Sequence, residues 1–338
     1  MRYIICEEPG TFQMGEAEMP TRSSNQALVK IHRIGICGTD LHAFAGNQAF
    51  FTYPRILGHE LAAEVMEIDE NDQGIRPGDR VGIMPYVHCG TCIACRSGKT
   101  NCCQNIQVLG VHTDGGMQEY ITVPNELLLP AQDLEWDQIS VIEPLAIGTH
   151  AIRRAAIQPG ETILVMGAGP IGLGIMKFAQ ILGARVLALD INPDRLAYAK
   201  QYMGAAEVID ARENPVERIA ELTGGDMATV VFDATGHPQA LMSGPDYMAH
   251  GGRFVLVGLS KGELTYSHPA IHAKETTLMC SRNATKEDFE RVMEVLRSGE
   301  FPVDAFVTHH APFEEMIGVF DQWLDPKTQV IKAVVHMG

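Results

Sequence analysis

The sequence predicts an α/β protein of two domains, one compact and β-rich, the other a doubly wound parallel sheet. Three observations carry this. The texture of the chain changes near residue 145, a glycine-rich turn at Gly167-Ala168-Gly169-Pro170-Ile171-Gly172 follows an apolar strand, and four cysteines crowd into the segment 89–103. A length of 338 residues also exceeds one ordinary hydrophobic core.

Met1-Arg2-Tyr3-Ile4-Ile5-Cys6 is apolar, but Glu7, Glu8 and Pro9 follow at once. It is too short for a secretory signal and reads as a first strand. Up to residue 145, short apolar runs such as Ala27-Leu28-Val29-Lys30-Ile31 alternate with turns such as Arg76-Pro77-Gly78-Asp79-Arg80-Val81, the pattern of a β-rich domain. From Glu161 the pattern becomes strand (Ile163–Met166), helix (to Gly183) and strand (Val186–Asp190), which is a βαβ unit and implies a parallel sheet. Thr229–Asp233 and Phe254–Gly258 are apolar throughout, as strands covered on both faces are. A helix is predicted over Lys286–Leu296, and the closing run Val330–Val335 is expected to return to the first domain.

Composition narrows the function. Hydrophobic residues make up 46% and charged residues 20%, as in an ordinary globular protein. A net charge of -16 argues against nucleic acid or an anionic membrane as partner. No apolar run approaches the roughly 18 residues of a membrane span. Eight cysteines, half of them at metal spacing, point to a reducing, cytoplasmic setting.

Cys89, Cys92, Cys95 and Cys103 have the spacing C-x2-C-x2-C-x7-C. Thiolates two residues apart converge on zinc at about 2.3 Å, and four of them fill its tetrahedron, so such a site is structural. Cys102 competes with Cys103 for the fourth place, and a chance cluster of reduced loop cysteines is the plainer alternative.

Gly167, Gly169, Pro170, Ile171 and Gly172 form a dinucleotide loop: the glycines permit a tight turn and close backbone approach, and a pyrophosphate can rest on the amides that open the helix. Asp190, at the end of the next strand, suits the ribose hydroxyls of NAD and would repel the 2′-phosphate of NADP. Arg195 is expected to flank the adenine. Thr235, Val257 and Gly258, at the ends of the next two strands, complete the cofactor-binding candidates.

Gly35-Ile36-Cys37-Gly38-Thr39-Asp40-Leu41-His42 and Gly58-His59-Glu60 each offer a zinc ligand in a glycine-flanked setting, with Glu143-Pro144 at the domain boundary. Cys37, His59 and a carboxylate would make a three-ligand zinc with an open position, the catalytic form. Each residue alone is more often structural; their joint occurrence with the dinucleotide loop makes the case.

With these motifs and Glu143-Pro144-Leu145-Ala146, the chain resembles the zinc-dependent medium-chain alcohol and polyol dehydrogenases over its whole length. The resemblance implies a GroES-like catalytic domain from residues 1–145 and 283–338, a structural zinc lobe at about 88–104, and a Rossmann NAD-binding domain at 146–282. It implies two zinc ions per chain. Cys37 and His59 would hold the catalytic one, with Glu143 as the third ligand in the manner of the sorbitol-type branch and Glu60 alternating with water. Cys89, Cys92, Cys95 and Cys103 would hold the structural one, which selects Cys103 over Cys102. Zinc acidifies a hydroxyl towards a pKa of about 7. Thr39 would bridge the substrate oxygen to the cofactor ribose, His42 would accept the proton, and Asp40 would orient His59.

A carboxylate in place of a second thiolate suits polyols, and three stretches, 46–54, 110–116 and 281–285, look most like bacterial enzymes that oxidise sugar acids. An anionic substrate would need a local cation, for which Arg282, Lys274, Arg55 and His112 are candidates. Threonine, butanediol or sorbitol dehydrogenase is the alternative within the family. Outside it stand a non-catalytic dinucleotide-binding protein and a zinc-free quinone or enone reductase. The family also implies a homodimer or homotetramer.

Overall fold

A computed structural model describes residues 1–48 and 51–338; Ala49 and Phe50, within the substrate-like stretch 46–54, lie outside the described residues. The chain forms two units, Met1–Pro144 with Thr285–Gly299 and Val303–Gly338, and Leu145–Ala284 with Glu300–Pro302. The first crossing falls inside the helix Ile142–Ala155.

The first unit is built on a seven-stranded sheet centred on the long strand Gln26–Ile36. This strand pairs antiparallel with Glu60–Glu67, Tyr120–Pro124 and Lys332–His336, so the end of the chain does return to its beginning. Its core gathers Ile4, Val29, Ile31, Leu57 and Leu61 with an aromatic cluster in which Phe12 stacks on Phe44 at 4.8 Å and meets Phe320 edge-on. Offset and edge contacts of this kind add about 0.5–1.5 kcal/mol each beyond the area they bury.

The second unit is a six-stranded parallel sheet with Thr162–Met166 and Ala228–Asp233 at its centre. In chain order of its strands the arrangement is 3-2-1-4-5-6, reversing between the first and fourth, where dinucleotides bind in such folds. Leu164, Leu187, Val231 and Phe254 are fully buried, as continuous apolar strands demand.

The predicted elements hold with shifted ends. The strand placed at Phe254–Gly258 is Met248–Leu256: Val257 and Gly258 have left the ladder, and their amides donate to the Asp233 carbonyl at 2.9 Å each. The helix placed at Lys286–Leu296 runs to Ser298, where Gly299 at φ 73° stops it. Among the described residues no helix is long and apolar enough to cross a membrane.

Candidate active site

Cys37 follows the central strand of the first unit and caps the short helix Gly38–Phe44. Asp40 on that helix is fully buried; its carboxylate accepts from the amides of Cys37 at 2.9 Å and Gly58 at 3.2 Å. One side chain thus ties together the two segments that carry the soft ligands. The Asp40 carboxylate also faces His59 Nδ1 at 3.8 Å, an ion-pair distance longer than a hydrogen bond. Its grip is on the backbone at Cys37 and at Gly58, next to His59.

Glu60 opens the strand that pairs Gly35 with Glu60. A Cβ at Gly35 would overlap the Glu60 carboxylate, so only glycine lets Glu60 lie across the neighbouring strand. Lys332 meets it from the other side, its Nζ 2.7 Å from both carboxylate oxygens and 3.0 Å from the Ile36 carbonyl. Cys37, His59 and Glu60 each offer a donor atom, and the three lie within 4.8 Å of one another. Glu143 is buried but accepts from the Tyr86 hydroxyl, and it stands outside that three-donor group.

Charge in this pocket is unbalanced. Burial pushes the carboxyls of Asp40 and Glu143 up. Burial would lower His59, yet Asp40, Cys37 and Glu143 outweigh it and raise the imidazole well above its ordinary range. Lys332 rises for the same reason, Glu60 overcoming desolvation. His59 Nδ1 is buried with no hydrogen-bond partner. The Cys37 thiol, the His59 imidazole and the Glu60 carboxylate, converging within 4.8 Å, fit a divalent cation with thiolate, imidazole and carboxylate ligands. Thr39 is half-buried, and His42 lies exposed three residues along the same helix.

Cys89, Cys92, Cys95 and Cys103 also converge, their sulfurs within 4.8 Å of one another. Cys103 is buried in the group, whereas Cys102 is exposed and outside it. The amides of Thr91 and Cys92 pull the Cys89 thiol down to about 5, while burial pushes Cys95 up to about 12. The lobe therefore already favours thiolate at one corner, as a zinc site requires.

In the second unit, Gly167 turns at φ 94°, and a Cβ at Gly172 would overlap the Gly167 carbonyl. Gly169 caps the helix Pro170–Ile181. Asp190 braces the loop, accepting from Ala168 N at 2.6 Å and Asn192 N at 2.8 Å. The nearest heavy atom to a Cβ at Gly169 would be Arg195 Nη1, at 3.6 Å, so this guanidinium lies over the glycine loop itself. Thr235 donates to the buried Asp233 at 2.6 Å, and its methyl lies 2.9 Å from where a Gly167 Cβ would be. Gly258 packs so closely on Gly236 that a Cβ there would overlap its amide nitrogen. The candidates Thr235, Val257 and Gly258 thus gather beside the loop.

The candidate cations differ in their surroundings. Lys274 donates to the carbonyls of Pro245 and Met248, Arg55 pairs with Asp114 at 3.2 Å, and His112 Nδ1 accepts from Val108 N at 3.0 Å. Arg282 is exposed. Sequence reasoning missed Lys332 and Tyr86, and took Gly35 only as a flanking glycine of the Cys37 segment. Lys332 left a signal, a lone lysine inside the apolar run Val330–Val335.

Fold and site together define a medium-chain oxidoreductase with a GroES-like unit and a dinucleotide-binding unit, and comparison with known proteins agrees. Residues 23–133 match the alcohol dehydrogenase GroES-like domain and residues 170–298 the zinc-binding dehydrogenase family. The chain belongs to the zinc-type medium-chain dehydrogenases. It is 42% identical over 335 residues to L-galactonate-5-dehydrogenase of Escherichia coli K12, covering 99% of this chain and 98% of that one. It is 32% identical to sorbitol dehydrogenase of Bacillus subtilis over 345 residues, covering 99% and 97%. Among solved structures, the RspB dehydrogenase of Escherichia coli CFT073, complexed with NADH, superposes with a TM-score of 0.93 at 30% identity and covers 99% of each chain.

Proposed function

We propose that this protein oxidises a secondary hydroxyl of a sugar acid or polyol with NAD as hydride acceptor, in the manner of an L-galactonate 5-dehydrogenase. The observation that carries this reading is the convergence of half-buried Cys37 with buried His59 and Glu60 in a chain that also holds an acid-braced glycine loop. Three donors are one fewer than the zinc tetrahedron requires, which suits a catalytic rather than a structural ion. Cys37, His59 and Glu60 would hold the ion, with Glu143 as the alternate carboxylate; when bound, zinc acidifies the substrate hydroxyl. Cys89, Cys92, Cys95 and Cys103 would hold a second zinc.

The chain's own groups have distinct tasks. Thr39 would pass the hydroxyl proton outward and exposed His42 would receive it. Asp190 accepts the ribose hydroxyls while its carboxylate stays fixed by two amides, and the loop glycines admit the pyrophosphate. Asp190 favours NAD over NADP, although Arg195 beside the loop adds a charge that either cofactor could use. Arg282 is the exposed one of the four candidate cations for a substrate carboxylate.

An absorbance screen at the NADH band, using zinc-loaded protein with aldonates, hexitols, threonine and butanediol, tests the reading. The expected result is turnover of an aldonate with NAD and two zinc ions at the cysteine and Cys37 sites. Turnover of threonine alone would move the chain to another branch, and a protein that binds NADH but oxidises none of these would be a non-catalytic relative.

A further inference from the structure

A third group of metal-capable side chains lies in the first unit, on residues the dehydrogenase reading does not use. Asp137 on the helix Trp136–Ser140, His310 on the strand Val307–Pro312 and His336 on the strand Lys332–His336 each offer one donor atom, all within 4.8 Å of one another.

Sheet register produces the meeting. In the parallel ladder His310 is level with Val334 and Pro312 with His336, so the two histidines sit two residues apart on neighbouring strands. Side chains repeat with period two along a strand, which puts both imidazoles on one face. His310 Nδ1 lies 2.6 Å from His336 Nε2, and His310 Nε2 lies 3.7 Å from Asp137 Oδ2. Arg33, level with His336 in the antiparallel ladder, donates Nε to Asp137 Oδ1 at 3.0 Å and Nη1 to the His32 carbonyl at 2.8 Å. The guanidinium therefore fixes the carboxylate by one oxygen while the other faces His310, the kind of support that orients ligating carboxylates.

The cluster opens on a groove of about 320 Å³ lined by Ala311, Pro312, Glu314 and Met337 as well as the two histidines. Glu314 is paired with Arg2 at 2.6 Å, so the protein brings two imidazoles and one carboxylate. That donor set suits zinc and its imidazole-preferring neighbours over magnesium or calcium, which want oxygen alone.

We propose that Asp137, His310 and His336 form a surface site for a divalent transition-metal ion of the zinc class, separate from the cysteine lobe and from the Cys37 group. The competing account is a simple imidazole–imidazole hydrogen bond beside an Arg33–Asp137 ion pair. The two differ in what the protein retains.

Full-length native protein and the variants His310→Gln and His336→Gln are dialysed to equilibrium against buffered free zinc, and zinc per chain is measured by elemental analysis. Each variant should hold one zinc fewer than the native protein, with NAD-linked turnover unchanged. Asp137→Asn should weaken the same binding. Because the readout is a difference of one ion, it does not depend on how many zincs the other groups hold. Equal zinc content in the native protein and both histidine variants would overturn the proposal and leave the hydrogen-bond account standing.

Discussion

The Lys332 ammonium lies 2.7 Å from both oxygens of Glu60, and neither side chain is more than 2% exposed. Two charges withdrawn from water gain little as a pair, but removing one leaves the other uncompensated at a cost of about 3–5 kcal/mol. Lys332→Met should therefore lower the melting temperature markedly. Adding Glu60→Gln to that variant should recover much of the loss, since the uncompensated carboxylate is gone. A Lys332→Met protein that melts like the native one would mean that Glu60 takes up a proton or another partner at little cost.

Gly35 decides whether Glu60 can reach the Cys37 and His59 side of the strand. Alanine there would drive a methyl into the Glu60 carboxylate and Cβ, with the Ser140 carbonyl 3.1 Å away on the remaining side. Overpacking of this kind costs about 1–3 kcal/mol. Gly35→Ala should lose stability on that scale and release zinc from the Cys37 group more readily under a chelator. Native zinc retention would show that Glu60 contributes nothing to holding the ion.

The residues legible from the sequence were those whose chemistry depends on neighbours close along the chain. The cysteine lobe, the glycine loop and Asp190 all lie on short stretches whose spacing nearly dictates geometry, and the structure brings each group together. Lys332 reaches Glu60 across 272 residues, and no local pattern encodes such a pairing. The roles of Glu60 and Glu143 were open for the same reason, because Tyr86, which engages Glu143, lies 57 residues before it. Strand ends were misjudged where backbone outside the ladder took over, as at Val257 and Gly258, whose amides turn to the Asp233 carbonyl.

Asp190 has a double duty. In the proposed function its carboxylate would meet a ribose, and it also fixes the loop through Ala168 N and Asn192 N at 2.6 and 2.8 Å. Asp190→Ser should therefore raise NADP use relative to NAD while lowering kcat/KM with both cofactors, because a shorter hydroxyl cannot brace both amides. Kinetics with the two cofactors read the ratio and the absolute loss separately. An unchanged ratio would remove Asp190 from cofactor selection.

Thr39 sits between Cys37 and Asp40 on a helix tied down by the Asp40 carboxylate, with His42 exposed beyond it. Valine keeps the shape and the β-branch but has no proton to pass. Thr39→Val should lower turnover by roughly 10² to 10⁴, the usual worth of a positioned proton-transfer group, with zinc content and NADH affinity intact. A fully active Thr39→Val protein would place the proton path elsewhere, and His42→Ala would then be silent as well.

Cys102 and Cys103 are adjacent, so exchange of either thiol for a hydroxyl makes a matched pair of tests. Cys103 donates to the Cys89 sulfur at 3.5 Å and accepts from the Cys89 amide at 3.3 Å, whereas Cys102 is exposed and stands apart from the cluster. Cys103→Ser should lose the lobe's zinc and expose the segment 88–104 to protease, while Cys102→Ser should keep both properties. In native protein stripped with a chelator, Cys89, pulled down to about 5 by the Thr91 and Cys92 amides, should be alkylated near neutral pH well before Cys95, which burial pushes up to about 12. Peptide mass mapping after brief alkylation reads that order. Zinc lost from Cys102→Ser rather than from Cys103→Ser would reassign the fourth ligand.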